Sequence, residues 1–168
     1  MKHILKNWFI YIFIISIIAI GSALVAEYFF DLAPCKMCLK QRYTYYAIII
    51  FFIISYVFNH TKNIWLYIFN EIAIIYGLFY SLWHVGIEQN ILPGPRSCSG
   101  TLLKTDSVQD LKAQINNQEI INCADISWSI LGLSAATINS LLLIFILTIN
   151  TIYILQNFYG SKKDNQKI

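Results

Sequence analysis

An uncharged run from Asn7 to Ala26 follows two lysines near the start of the chain, and three further apolar runs come after it. As a helix the first run spans roughly 30 Å, about the thickness of a bilayer's hydrocarbon core. The second, Tyr43 to Phe58, crosses comfortably once its flank from Leu39 is included. The third runs from about Ile64 to Trp83, and the fourth from near Ile130 to about Leu155. Runs of this length and polarity are read as transmembrane helices. The expected fold is an all-α integral membrane four-helix bundle with spans at about 7–26, 39–58, 64–83 and 130–155. Asn59 to Asn63 is a turn short enough to bring the third span back antiparallel to the second. Four crossings place both termini on one face and two loops, about 27–38 and 84–129, on the other.

Composition agrees and excludes alternatives. A chain that is 57% hydrophobic and 12% charged is too apolar for an ordinary soluble domain. No Gly/Pro-rich linker, low-complexity tract or internal repeat divides it, so residues 1–168 read as one membrane domain. The net charge of +3 is dispersed, with no basic block interleaved with aromatics, which argues against a nucleic-acid partner. Trp8, Trp65, Trp83 and Trp128 all sit near ends of apolar runs, where an amphipathic ring favours the headgroup layer. Lys2, Lys6 and Gly21-Ser22-Ala23 imitate a signal peptide, but the apolar run exceeds a signal's core and is expected to stay as an anchor.

Basic residues divide evenly between the faces: Lys2, Lys6, Lys62, Lys162, Lys163 and Lys167 against Lys36, Lys40, Arg42, Arg96, Lys104 and Lys112. Lys104 lies far from either neighbouring span, which tips the balance toward cytoplasmic termini. The cysteines add a stronger argument. Cys35 and Cys38 follow span one, and Cys98 and Cys123 lie between spans three and four, so all four share the loop face. Thiols confined to one face are explained if that face is the oxidising one, as the periplasm is.

The two pairs differ in meaning. Cys35-Lys36-Met37-Cys38 closes so small a ring that a disulfide there constrains little chain, and such pairs are usually reactive. With span two expected just beyond, Cys38 falls at a helix N-terminus, where free amides favour a thiolate, and Arg42 lies one turn further on. Cys98 and Cys123 suit either a staple across the long loop or a redox pair. A zinc site built from the four cysteines is disfavoured by the wide second spacing and the oxidising setting. Within the loop, Asp106 or Ser107 is a candidate cap for a short helix carrying Val108, Leu111 and Ile115 on one face, which would lie on the membrane surface or on other loop residues. Pro93, Gly94 and Pro95 set a bent approach to an exposed Cys98.

These residues in this order resemble the disulfide bond formation protein B (DsbB) family. The matching pieces are Pro34-Cys35-Lys36-Met37-Cys38 with Gln41-Arg42, then His84-Val85-Gly86-Ile87-Glu88-Gln89 leading to Gly94-Pro95 and Cys98, then Cys123, Trp128 and Leu131-Gly132-Leu133-Ser134. The resemblance implies a bacterial inner-membrane thiol:quinone oxidoreductase that reoxidises a periplasmic thioredoxin-fold, DsbA-like dithiol oxidase. It implies Cys98 and Cys123 as the pair that meets this partner, and Cys35 and Cys38 as the pair that reoxidises them, with Cys38 facing the quinone. Arg42 and His84 become candidate quinone-binding residues, ubiquinone or menaquinone being the acceptor and no metal being implied. His84 also reads as an interfacial histidine capping a helix end. Two departures stand out: Lys36-Met37 fills the CxxC interior, and Ala135-Ala136 follows Ser134 where Met-Pro is often seen. A vitamin K epoxide reductase-like enzyme and a structural membrane protein with passive disulfides are the competing readings. Glu71, inside span three, costs about 2.5 to 3.5 kcal/mol if deeply buried and is expected to snorkel, pair or sit near the interface.

Overall fold

A computed structural model of the chain describes residues 7–60, 63–95, 107, 109, 123–126 and 128–165, with 159–165 described by their backbone. Four helices dominate it: α1 (Trp8–Phe29), α2 (Lys36–Val57), α3 (Ile64–Glu88) and α4 (Ala135–Asn165). All four are long and apolar enough to cross a membrane, α4 over Ala135–Phe158. The protein is a multi-pass four-helix membrane bundle.

Several of the helix ends have a local chemical reason. Asn63 caps α3, its Oδ1 accepting the Trp65 amide at 3.1 Å. The C-termini of α2 and α3 turn off through Asn59 (φ 55°) and Asn90 (φ 57°). In both, the next amide reaches back to the carbonyl five residues earlier, His60 to Ser55 at 2.8 Å and Ile91 to Gly86 at 2.9 Å. That is a Schellman closure with asparagine standing where glycine is commoner. Before α4, strands β1 (Ser129–Ile130) and β2 (Leu133–Ser134) pair antiparallel, Ser129 opposite Ser134 and Ile130 opposite Leu133. Leu131 (φ 54°) and Gly132 (φ 79°) form the two-residue turn, both in the left-handed region as a type I′ hairpin requires.

Several helix boundaries differ from the expected spans, α4 also running on to Asn165. The fourth helix starts at Ala135, not near Ile130, because the hairpin turn at Leu131 and Gly132 cannot be helical and Ser134 Oγ caps α4 by accepting the Thr137 amide at 3.2 Å. Leu131-Gly132-Leu133-Ser134 is thus a turn and a cap rather than the opening of a span. The second helix starts at Lys36, ahead of the expected Leu39, and the third continues past Trp83 to Glu88. These extensions carry Cys38 and His84 inside regular helix.

The bundle buries polar groups beside an apolar core that includes Ile12, Ile48, Ile74, Leu143 and Ile146, and it turns other apolar side chains outward. Ser16, Thr44, Ser55, Asn70, Ser81, Ser140 and Asn150 are buried, whereas Ile18, Ile50, Ile53, Phe69, Ile72, Phe79 and Phe145 are exposed on the outer surface. With lipid as the solvent, outward apolar chains cost nothing; inward, Ser16 and Ser55 bond within their own helices, while Thr44, Ser81 and Asn150 bond across helices. Glu71 is one such group: Asn150 Nδ2 donates to its Oε2 at 2.5 Å and the Thr151 hydroxyl donates to its Oε1, pinning α3 to α4. Its expected cost is met by pairing.

Packing runs α1 on α2, α2 on α3 and α3 on α4. The seam of α2 against α3 is close at Gly77 and Thr44, where Thr44 Oγ1 donates to the Ala73 carbonyl at 3.1 Å. A Cβ added at Gly77 would lie 2.2 Å from Thr44 Oγ1. Among the described residues no equivalent seam closes α1 on α4, and a cavity of about 180 Å³ lies on that side, at the end of the bundle that carries Cys35 and Cys38.

Gly77→Ala is expected to destabilise the bundle by about 1–3 kcal/mol, the usual cost of overpacking. Gly21→Ala, with nothing within 4 Å of the added carbon, should not destabilise it. Thermal unfolding of both variants in one detergent checks this, and equal midpoints would contradict the close α2–α3 seam.

Candidate active site

The site begins with one unusual helix cap. Pro34 leads into Cys35, whose extended backbone (φ −68°, ψ 163°) makes it the N-cap of α2. Its sulfur occupies the place of a serine or aspartate oxygen and accepts the Cys38 amide at 3.3 Å. One helical turn brings the Cys38 thiol back over it, Sγ to Sγ 3.0 Å. Both sulfurs are free, and Cys35 is only 5% exposed.

His84 completes the cluster from α3. It is 4% exposed, with Nε2 3.6 Å from Cys35 Sγ and 3.2 Å from the Cys123 carbonyl oxygen, and Nδ1 3.1 Å from Gln41 Nε2. The extension of α3 beyond Trp83 puts His84 opposite the first turn of α2. Glu88, one turn on, holds a carboxylate oxygen 3.9 Å from Nε2, while its other oxygen accepts the Ser134 hydroxyl at 2.5 Å.

The donors converge on Cys35. The Cys38 thiol hydrogen bond, opposed by burial and reinforced by His84 and the Cys38 amide, draws the Cys35 thiol down from the ordinary 9.0 to about 4. From sequence, the helix N-terminus favoured a thiolate on Cys38. The structure gives the cap to Cys35, because α2 begins at Lys36 and Cys38 already lies inside its first turn.

Arg42 faces the same cavity as Cys38 but is bound to α1: Nη1 meets Glu27 Oε2 at 2.5 Å and Nη2 donates to the Ala23 carbonyl at 3.3 Å. The cavity has small apolar walls, Ala19, Ala23 and Ala26 from α1 and Ala136 from α4, and a polar end where Gln41, Arg42 and His84 meet the cysteines. Cys35, Cys38 and His84 also offer two sulfurs and a nitrogen within 4.8 Å of one another, a donor set able to hold a soft divalent ion.

Cys123, expected as one of the pair that meets the soluble partner, is buried. It is disulfide-bonded, 1% exposed, and packed with Cys35, Met37 and Ile87. Its burial follows from the carbonyl contact to His84 and from Met37, which projects from the CxxC interior into the same cluster. Cys98 lies outside the described residues, as do Val108, Leu111 and Ile115 of the expected loop helix. Of its cap, Ser107 Oγ accepts the Gln109 amide at 3.3 Å. Trp83 Nε1 donates to the Pro93 carbonyl at 3.2 Å, anchoring the bent approach to the loop.

Comparison with known proteins agrees with this architecture. The family model for disulfide bond formation protein DsbB matches residues 5–153. The chain belongs to the DsbB family. The uncharacterized protein RP370 of Rickettsia prowazekii is 30% identical over 135 residues, 79% of this chain and 78% of that protein. Disulfide bond formation protein B of Cupriavidus metallidurans is 32% identical over 60 residues, 36% of this chain and 37% of its own length. No solved structure matches the chain. DsbB membership makes this a membrane protein of disulfide formation.

Sequence reasoning did not single out Glu27, Tyr45 or Asn139, and it quoted Gln41 and Glu88 without a role. Polarity was the available signal, since Glu27 and Asn139 interrupt otherwise apolar helices where polar groups have partners or functions.

In the reduced protein, Cys35 alkylation should follow a pH profile with its midpoint near 4 rather than 9. A depressed thiol pKa keeps the anion, and its reactivity, at every pH above that midpoint, with loss only below it. Cys38→Ala removes the largest contribution and should raise the midpoint by more than one unit, read from iodoacetamide rates between pH 3.5 and 9.

Proposed function

We propose that the protein is a thiol oxidase of the bacterial inner membrane, with its cysteine loops on the periplasmic face. It reoxidises a DsbA-like, thioredoxin-fold dithiol partner and passes the electrons to a membrane quinone. The observation that carries the reading is the single buried cluster in which Cys123 packs on Cys35 and His84 at the mouth of an apolar cavity. Two thiol systems and a site for an apolar acceptor meet within contact distance. A relay from DsbA through DsbB to quinone is what keeps the periplasm oxidising.

In this reading each exchange moves two electrons. The partner's two thiols close into a disulfide as the Cys98–Cys123 pair opens to two thiols. That pair recloses as a Cys35–Cys38 disulfide opens, and the inner dithiol then recloses as it gives up two electrons and two protons. A quinone supplies the acceptor, taking both electrons and both protons to become a quinol. Free thiols at Cys35 and Cys38 beside a disulfide-bonded Cys123 correspond to the stage at which the electrons have reached the inner pair.

The cavity suits a flat ring with two carbonyl oxygens, having alanine walls on its sides and the polar groups of Gln41, Arg42 and His84 at one end. Arg42, held by Glu27, offers fixed positive charge near oxygen where negative charge develops. His84 holds a nitrogen between Cys35 and Cys123, where it orients the reacting sulfur. As the outer pair's thiolate opens the Cys35–Cys38 disulfide, a depressed pKa at Cys35 favours the thiolate product of that exchange.

Purified protein given a reduced DsbA-like partner and either ubiquinone or menaquinone should bleach the quinone absorbance in step with partner oxidation. Cys38→Ser and Cys98→Ser should each reduce this to background, while Cys98→Ser should leave the inner pair oxidisable by quinone alone. Wild-type protein that reduces neither quinone sinks the proposal, and normal turnover by Cys38→Ser removes the inner pair from it.

A further inference from the structure

A chain of buried hydrogen bonds leads from α4 through α2 to the imidazole of α3, and its protons can be assigned one by one. Tyr45 is buried, and its hydroxyl meets Asn139 Oδ1 at 2.5 Å. A buried phenol needs an acceptor, and Asn139 Oδ1 is the one this hydroxyl meets. Ser81 has one hydrogen for the Ala136 carbonyl at 3.0 Å or the Ser140 hydroxyl at 2.8 Å, and toward Asn139 it accepts. The amide of Asn139 is therefore oriented: Oδ1 toward Tyr45, and Nδ2 toward Ser81 Oγ at 3.2 Å and Gln41 Oε1 at 2.9 Å. Both hydrogens of Nδ2 are then used.

Gln41 inherits its orientation from Asn139. With Oε1 accepting from Asn139, Nε2 is the atom that faces His84 Nδ1 at 3.1 Å, and it can only donate. Nδ1 must accept, so the ring hydrogen sits on Nε2. That hydrogen points at the Cys123 carbonyl, 3.2 Å away, and at Cys35 Sγ, 3.6 Å away. The other groups facing the ring are the Cys38 thiol beside Cys35 and the Glu88 carboxylate at 3.9 Å, with Arg42 and Asp125 further along the same cavity.

We infer that Asn139 and Gln41 are positioning residues that hold His84 as the neutral Nε2–H tautomer, so that it donates to the sulfur of Cys35 and to the Cys123 backbone at once. The inference rests on the thiol oxidase reading only in treating Cys35 as the reacting sulfur. An imidazolium would set an Nδ1 hydrogen against the Gln41 amide hydrogens, and the opposite tautomer would leave Cys35 facing a lone pair. The cost of turning Gln41 over is the loss of its bond to Asn139, so the tautomer is selected from a helix that does not touch the sulfur.

The test is the nitrogen NMR spectrum of reduced, histidine-labelled protein in nanodiscs, with His84 assigned by its loss in His84→Gln. At neutral pH the wild type should show Nε2 protonated and Nδ1 bare. Asn139→Asp presents only acceptors to Gln41, which should turn its amide and convert His84 to the Nδ1–H form. The Cys35 alkylation midpoint should rise with it by about one pH unit, the size expected for one lost hydrogen bond to a charged group. Gln41→Leu, an independent change on another helix, should give a mixture of tautomers and a rise in the same direction. A wild-type His84 protonated on Nδ1 overturns the inference. So does either variant if it keeps the Nε2–H form, whatever its reactivity. Neither measurement uses quinone or partner, so failed turnover with the expected tautomer would count against the oxidase reading alone.

Discussion

The amide of Cys38 donating to the sulfur of Cys35 is the contact on which the site is built. A helix start has amide hydrogens without intrahelical partners, and here a cysteine sulfur satisfies one of them. That choice couples fold to chemistry. The cap anchors α2, and the free amide with the helix dipole stabilises negative charge on the capping atom. The CxxC spacing then matters geometrically, because one turn of helix returns Cys38 to the cap as a second donor. His84 is brought to the same sulfur by an α3 that runs on to Glu88 instead of ending at the expected membrane boundary.

Around this contact the bundle solves a problem set by its solvent. Lipid gives no hydrogen bonds, so polar side chains turn inward and find one another: Thr44 with Ala73, Glu71 with Asn150 and Thr151, and Asn139 with Gln41, Ser81 and Tyr45. The first two tie neighbouring helices. The third does so too, but ends on a ring nitrogen beside a reactive sulfur, which makes a packing interaction part of the chemistry. Among the described residues the α1–α4 side lacks a comparable seam, and Arg42 spans α2 to α1 through Glu27 along the edge of the cavity there. In the proposed reading, that cavity is where an apolar reactant from the membrane meets the cysteines.

Much of this was legible beforehand. The four apolar runs determine the helix count, since a bilayer-length segment without charge has few other destinies. The shared face of the cysteines follows from the parity of crossings. Boundaries were less legible because they depend on single caps. Hydropathy has no means of knowing that Cys35 caps α2, or that Leu131 and Gly132 turn a hairpin before Ser134 starts α4. The burial of Cys123 was hidden for a similar reason: a polar loop reads as solvated until Met37 and Ile87 are seen packing against it.

The sequence by itself determined the number of spanning helices and the inventory of reactive groups, because these depend on composition along short windows and on spacing within one helix. Only the tertiary structure decided which cysteine is the thiolate, what Arg42 holds, and how His84 is oriented. Those properties arise from contacts between residues such as Gln41 and Asn139, 98 positions apart. A hydrogen bond's direction depends on what every neighbouring donor is already doing, and no local window contains that information.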